Sequence, residues 1–281
     1  MPEGDTIFRA ARTLHRALAG KQVTRFESVL PKLSRVDEDA PLAGRTVEDV
    51  SAMGKHLLMR FSGDLVLRTH MRMNGSWHIY RHGEAWRRPR VSMRIVLETA
   101  DFVAVAFDVP VAEFLDARKL ERHEELRKLG PDLLQDDFDP VEAARRLRER
   151  TSTEAGEALL NQRVMAGIGN VFKSEILFTC GVNPFTPISA LTEEQISRLV
   201  TTSRKYLKAN VTDGHPGGIV TYTGMRRTTG RADPSARLWV YGRHNEPCRK
   251  CGTPIAFAQQ GLHARVTYWC PKCQPAVSTG A

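Results

Sequence analysis

Near the start of the chain the apolar positions Ile7, Ala10, Ala11, Leu14 and Leu18 recur at three- and four-residue spacing. That period predicts a helix buried along one face, and Asp5 or Thr6 is placed to cap it. The pattern then changes to short apolar runs at residues 23–26, 57–61, 65–70, 92–97 and 102–107. Gly44, Gly54, Gly63-Asp64, Gly75 and Ala100-Asp101 punctuate them. Several short strands at such spacing predict an antiparallel sandwich or barrel, reaching to about residue 120.

Helical spacing returns after a charged stretch. Gly130-Pro131-Asp132 reads as a turn, and Asp139-Pro140 opens a helix to residue 150, with proline at its first position. Residues 150–210 read as helices. Thr192 with Glu194 and Gln195 marks one helix start, and Ile196, Leu199 and Val200 form its apolar face. Between residues 159 and 177, apolar positions at helical spacing flank Gly167-Ile168-Gly169-Asn170, which predicts a helix, a tight glycine turn and a second helix. Residues 213–236, rich in Gly, Thr, Arg and Pro, read as a mobile loop, and the last forty residues as a separate small unit. The expected fold is multidomain α+β. Its parts are a β domain at 1–122, a linker and connecting helix at 123–150, a helical domain at 151–243 and a small C-terminal unit at 244–276. No internal repeat or low-complexity tract is visible.

Composition narrows the function. Hydrophobic residues make up 41% of the chain, enough for a sizeable core. No run of eighteen apolar residues is present, which excludes a helical membrane span of the usual kind. The start of the chain lacks the features of a signal segment, and the expected location is the cytoplasm. The formal charge is +9. Residues 151–281 hold 15 Lys/Arg against 8 Asp/Glu, whereas residues 1–150 hold 26 against 24. A basic half-chain suits a polyanion, nucleic acid before membrane, because no amphipathic anchor is visible. A generic basic soluble protein is the other reading of charge alone.

Four of the five cysteines form Cys248-x2-Cys251 and Cys270-x2-Cys273, eighteen residues apart. This double spacing predicts a four-cysteine zinc site built from two knuckles on a β-hairpin. Four thiolates close the shell, so one zinc per chain is expected in a structural role. Cys180 lies outside the set and reads as a small buried hydrophobe near a helix end. Arg265, near the tip or on the second strand of the predicted hairpin, is either a probe of a nucleic-acid backbone or groove or a solvated side chain. The helix start at Asn170, with Lys173 in the following turn, fits phosphate; an ordinary helical hairpin is the alternative, with Asn170 capping its second helix. Removal of Met1 leaves Pro2 as a secondary amine beside Glu3, a pair able to form an imine with a sugar carbon and move protons. The plainer reading is a proline leading into a helix.

The chain resembles the formamidopyrimidine-DNA glycosylase / endonuclease VIII family of base-excision repair enzymes over nearly its whole length. The resemblance rests on Pro2-Glu3-Gly4, Met53-Gly54-Lys55-His56-Leu57-Leu58 and the segment from His70 to Gly75. It continues in Leu129-Gly130-Pro131-Asp132, the turn from Gly167 to Asn170, and Val240-Tyr241-Gly242-Arg243 ahead of the cysteines. It implies an N-terminal β-sandwich with a leading helix, a helix–two-turns–helix domain and a zinc-ribbon-like finger. It also implies a bifunctional glycosylase and lyase acting on damaged duplex DNA, as a monomer, without a cofactor in the chemistry. Pro2 then attacks the sugar C1′, and Glu3 assists by proton transfer. Lys55, Asn170 and Arg265 contact phosphates, Lys55 and Arg265 also counting among the catalytic residues, and His70 belongs to the same DNA-facing set. Met73 fills the gap left by the extruded base; core packing is its other reading.

Pro2-Glu3-Gly4-Asp5-Thr6, the segment with Trp77 and the ending Tyr268-Trp269-Cys270-Pro271 are similar to the endonuclease VIII branch, and so to removal of oxidised pyrimidines. Thr6 departs from branch members with a second carboxylate there, and Arg72 and Asn74 flank Met73 where other side chains are usual, which leaves lesion choice open. An 8-oxoguanine or formamidopyrimidine glycosylase and a non-catalytic DNA-damage-binding protein are the alternatives. The loop in 213–236 is expected to face the lesion.

Overall fold

The structure is a computed structural model that describes residues 2–212, 219–222 and 237–276. The chain divides into two compact units, Met1–Lys128 and Leu129–Ala281. The first begins with α1 (Gly4–Leu18), whose Ile7, Ala11, Leu14 and Leu18 are buried at the expected period. The helix starts earlier than a cap at Asp5 or Thr6 requires. Glu3 is the N-cap residue, with extended backbone and no side-chain capping bond, and its carbonyl accepts from Ile7 N–H at 3.1 Å. Asp5 instead stands in the first turn, where a negative side chain meets the positive end of the helix dipole.

Eight strands follow: β1 (Val23–Ser28), β2 (Val47–Met53), β3 (His56–Phe61), β4 (Leu65–His70), β5 (Ser76–Tyr80), β6 (Met93–Thr99), β7 (Val103–Phe107) and β8 (Val111–Leu115). They form two antiparallel sheets, ordered β1-β6-β7-β5 and β2-β3-β4-β8. The core joins Leu57, Met59 and Leu67 of the second sheet to Ile95, Leu97, Ala104 and Ala106 of the first, with the apolar face of α1. Every second side chain faces inward, as the two-residue strand period demands. β7 reads as apolar throughout because its other face is covered too. Val103, Val105 and Phe107 join Tyr80 and Met93 in a second cluster against Trp86. Three short helices complete the unit: α2 (Pro31–Asp39), α3 (Ala117–Glu121) and α4 (Glu124–Arg127). α4 carries this unit past residue 122, the end expected from the sequence.

The second unit holds α5 (Pro140–Arg148), α6 (Ala155–Leu160), α7 (Asn170–Cys180) and α8 (Glu193–Thr212). α5, expected in a connecting segment, packs against α8 inside this unit. Asp139 caps α5 through its carboxylate, with Pro140 at the first position. Thr192 and Gln195 form a reciprocal capping box on α8: Gln195 N–H donates to Thr192 Oγ1 at 3.2 Å, and Thr192 N–H to Gln195 Oε1 at 2.9 Å. Ile196, Leu199 and Val200 are buried beneath it.

Two side chains hold the turn between α6 and α7: Asn161 Oδ1 accepts from Arg163 N–H at 3.0 Å, and Gln162 spans the turn. Gln162 Oε1 accepts from Gly167 N–H at 3.0 Å, and its Nε2 donates to the carbonyls of Leu160 and Ile168. Gly167 takes φ +113° there, open to glycine alone at low cost. Gly130 is equally constrained, since a Cβ on it would lie 2.4 Å from the Val164 carbonyl oxygen. The unit ends in a hairpin of β9 (Ala256–Gln260) and β10 (Arg265–Trp269). The loop expected over 213–236 lies outside the described residues except for 219–222. Among the described residues, no helix is long and apolar enough to cross a membrane.

Candidate active site and nucleic-acid interface

In the first unit the start of the chain is built into α1. Pro2 is partly exposed, whereas Glu3 and Asp5 have no exposed surface. Burial pushes the Asp5 carboxyl above its usual range, opposed by Arg9 at 3.0 Å and by hydrogen bonding from Thr6. Gly54 and Lys55 form the tight turn between β2 and β3, with Gly54 at φ +58°. Beyond it, register sets His56 opposite His70. Met73 stands in the turn between β4 and β5, 50% exposed and outside the hydrophobic core. Its neighbour Arg72 takes φ +50°, and the Arg72 N–H donates to His70 Nδ1 at 3.1 Å. At the far side of the turn, Arg88 Nη1 donates to the Asn74 carbonyl at 3.2 Å.

In the second unit α7 meets the finger. Asn170 is its first residue and Gly169 its N-cap, so Asn170 is not the cap that the sequence suggested. Asn170 Nδ2 donates instead to the Val266 carbonyl at 2.8 Å, and its Oδ1 is buried without a hydrogen-bond partner. Lys173, expected to add charge to a phosphate site, is fully buried. Its ammonium donates to the Val266 carbonyl at 3.1 Å and to Thr267 Oγ1 at 2.6 Å, which fixes the finger strand to the helix. Arg265, the residue before Val266, is exposed at the first position of β10. The structure therefore brings Asn170 and Arg265 to one place. Lys55, His70 and Met73 sit together at one end of the first unit's strands.

Cys248, Cys251, Cys270 and Cys273 converge, their sulfurs all within 4.8 Å of one another. Cys251 lies 3.5 Å from both Cys270 and Cys273, and Cys248 lies 3.9 Å from Cys273. A tetrahedral zinc with Zn–S bonds of about 2.3 Å has sulfur–sulfur edges of roughly 3.8 Å, so the donor set fits that metal. Backbone N–H groups of Lys250 and Cys273 point at Cys248 Sγ and Cys270 Sγ, each at 3.4 Å, as in a metal knuckle. Cys180, by contrast, is buried at the end of α7 against α8.

Sequence reasoning passed over several charged groups with structural work at these sites. Glu175 is wholly buried in α7 and accepts from the backbone N–H groups of Trp239, Val240 and Tyr241 and from the Thr221 hydroxyl. Arg68 is buried in β4 between Glu113 and Glu125. Their spacing carries no signal, because their partners come from distant segments.

Three family models match in chain order. The formamidopyrimidine-DNA glycosylase N-terminal domain matches residues 1–123, its H2TH domain residues 129–221, and a zinc finger found in FPG and IleRS residues 245–276. A "Probable endonuclease 8 2" of Streptomyces coelicolor is 45% identical over 98% of this chain and 94% of that protein. This chain belongs to the formamidopyrimidine-DNA glycosylase/endonuclease 8 family. A member from Mycolicibacterium smegmatis, "DNA-(apurinic or apyrimidinic site) lyase Nei2", is 40% identical over 98% of this chain and 100% of that one. The fold is that of the family as well. The Lactococcus lactis formamidopyrimidine-DNA glycosylase, solved non-covalently bound to DNA containing an AP site, aligns with a TM-score of 0.81 at 23% identity over 98% of this chain and 100% of that one. The β-sandwich, helical H2TH domain and finger hairpin are thus the three parts of a family of DNA glycosylases and AP lyases.

Proposed function

We propose that this enzyme removes oxidised pyrimidines from duplex DNA and then cuts the strand at the resulting site. The observation that carries the reading is the built-in N-terminus: a family member whose Glu3 carboxylate has no exposed surface, immediately beside the Pro2 amine. With Met1 removed, the Pro2 nitrogen forms a bond to sugar C1′ as the glycosidic bond breaks. The base leaves with that electron pair and a proton, and Glu3 carries protons to and from the opening sugar. The iminium then acidifies the neighbouring C2′ position. Loss of that proton expels the 3′ phosphate, and a second elimination expels the 5′ phosphate.

Lys55 and His70 meet phosphates near the reacting sugar, and Met73, exposed on its turn, enters the stack where the damaged base has left. In the second unit Asn170, whose Oδ1 is buried without a hydrogen-bond partner, and Arg265, next in sequence to the Val266 that Asn170 binds, hold the DNA backbone. A single zinc, held by Cys248, Cys251, Cys270 and Cys273, keeps the hairpin rigid and leaves the metal no open position for chemistry. The test is borohydride trapping on duplexes carrying oxidised pyrimidines, 8-oxoguanine or an abasic site. A covalent adduct at Pro2, mapped by mass spectrometry and most abundant with oxidised pyrimidines, is the expected result. Efficient trapping by protein that retains Met1 would overturn the role of Pro2, and preference for 8-oxoguanine would overturn the substrate class.

A further inference from the structure

Near the His70 end of β4 a buried arginine, Arg68, anchors an ionic cluster that no step of the proposed chemistry uses. Arg68 sits in β4 with its side chain 3% exposed. Its Nη1 donates to Glu113 of β8 and its Nη2 to Glu125 of α4, and Nη2 also lies 3.1 Å from His56 Nδ1. His123 Nε2 donates to the same Glu113 carboxylate at 3.0 Å. A guanidinium only donates, so His56 Nδ1 is the acceptor. The His56 ring packs edge-on against His70, with centroids 4.8 Å apart at 71°. His70 Nδ1 in turn accepts the Arg72 N–H. A backbone amide also only donates, so His70 must hold its proton on Nε2. A continuous set of contacts thus runs from two carboxylates through Arg68, His56 and His70 to the strained backbone of Arg72, next to Met73.

Burying the Arg68 guanidinium is costly even with its half-exposed carboxylate partners, and a well-packed apolar side chain in its place is often neutral for stability. We propose that Arg68 is a positioning residue that keeps His70 in a single neutral tautomer, so that one ring nitrogen holds the insertion turn while the other offers its proton to DNA. The proposal rests on the reading that this face meets DNA. The electrostatics run the same way. Burial first, then Arg72, Lys55 and Arg68, hold His70 down to about 4, whereas Glu125 pulls it up. Without Arg68 the His56 ring that packs on His70 loses its donor, and although burial, Arg72 and Lys55 still hold His70 down, Glu125 pulls it further toward the protonated form. An imidazolium cannot accept the Arg72 N–H, and the turn that presents Met73 is released.

Nitrogen NMR of histidines in the full-length, zinc-loaded protein reads this directly, whatever substrate the enzyme takes. Near pH 6 the wild type should show His70 protonated at Nε2 only; a proton on Nδ1 overturns the proposal without any variant. Arg68→Met, which frees the His56 ring, should give a mixture of His70 tautomers and raise the pH at which His70 takes its second proton, and Arg68→Met paired with Glu125→Gln should bring that pH back down. An unchanged His70 in Arg68→Met overturns the proposal, as does failure of the pair to restore it. In turnover, Arg68→Met should raise KM for a lesion duplex about tenfold, the equivalent of one lost hydrogen bond. Its kcat on a preformed abasic site, where no base has to be extruded, should stay within about twofold of the wild type. Equal loss of kcat on both substrates with KM unchanged would mean a general structural role and would also overturn it. If the wild type neither traps nor cleaves any of these duplexes, the functional reading fails while the NMR result still stands or falls by itself.

Discussion

Glu3 offers the sharpest single-residue test of the chemistry. Glu3→Gln keeps the shape of the side chain and its place at the N-cap but removes the proton carrier. Base excision should fall by roughly 10²–10⁴-fold, with duplex affinity little changed; single-turnover excision and a binding titration measure the two. His56 gives a second test. Burial, then Arg68, His70 and His123, lower its pKa from 6.5 to about 2. Above pH 6.5 the imidazole is neutral in both folded and unfolded chains, and its contribution to stability is complete. As pH falls below 6.5 the unfolded chain takes up a proton that the folded one refuses, and about 1.4 kcal/mol is lost per pH unit. His56→Gln lacks this loss. The stability gap between the two proteins should therefore change by about that amount per unit between pH 6 and 4, read from denaturant midpoints. The buried carboxyls of Asp5 and Glu175, both raised by burial, act with the opposite sign and cancel in the comparison. A gap independent of pH would place His56 in water. None of these buried charges was legible in the sequence. Asp5, Arg68, Lys173 and Glu175 look like ordinary surface residues until the segments that pair with them arrive from far along the chain. The four cysteines were legible because their ligand spacing lies in neighbours three residues apart, and Pro2 beside Glu3 stood out as a candidate pair by adjacency alone.

At the level of elements, α8 and α2 show what a local pattern can and cannot convey. Thr192 and Gln195 announced the start of α8, and its apolar face followed at the helical period. Thr192→Ala should cost about 1 kcal/mol, measured by thermal or chemical unfolding. In α2 only Leu33 is buried, so Pro31–Asp39 carries no apolar stripe to read. β2, β5 and β8 were equally silent, β2 because a bulge between Val47 and Asp49 breaks its alternation. α7 hid its polar contacts for the opposite reason. It is buried nearly all round, so the sequence that pointed to Asn170 and Lys173 as a phosphate site gave no sign of their contacts with the finger, and Glu175 was passed over. β10 places Arg265 beside Asn170, which makes Arg265→Ala the clean test of the finger as a backbone contact. On an abasic-site analogue the slope of log affinity against log salt should flatten by roughly 0.9. An unchanged slope and affinity would make Arg265 a solvated side chain.

For the molecule as a whole, the surplus of positive charge in residues 151–281 belongs to the unit that carries the H2TH domain and the finger. Metal analysis should find one zinc per chain. Chelation should weaken duplex binding at least as much as Arg265→Ala does, because the strand that loses its anchor carries both Arg265 and the carbonyl held by Asn170. Active protein with no zinc would rule out a structural metal. The same anchorage has a consequence for how the protein is made. The interior ends of α7 leave the ribosome well before residues 239–241 and 266–267, the segments that pair with Glu175 and Lys173. A nascent chain that has finished the helices still lacks the backbone donors that meet Glu175 and the Val266 and Thr267 oxygens that meet Lys173 in its core. Glu175 gains its donors once residue 241 is made, but Lys173 gains its contacts with Val266 and Thr267 only when the C-terminal hairpin has been synthesised, and the helical unit closes fully at that point. A transcript cut short before the cysteines should yield insoluble protein, not a smaller enzyme, which spares the cell a DNA-cutting fragment.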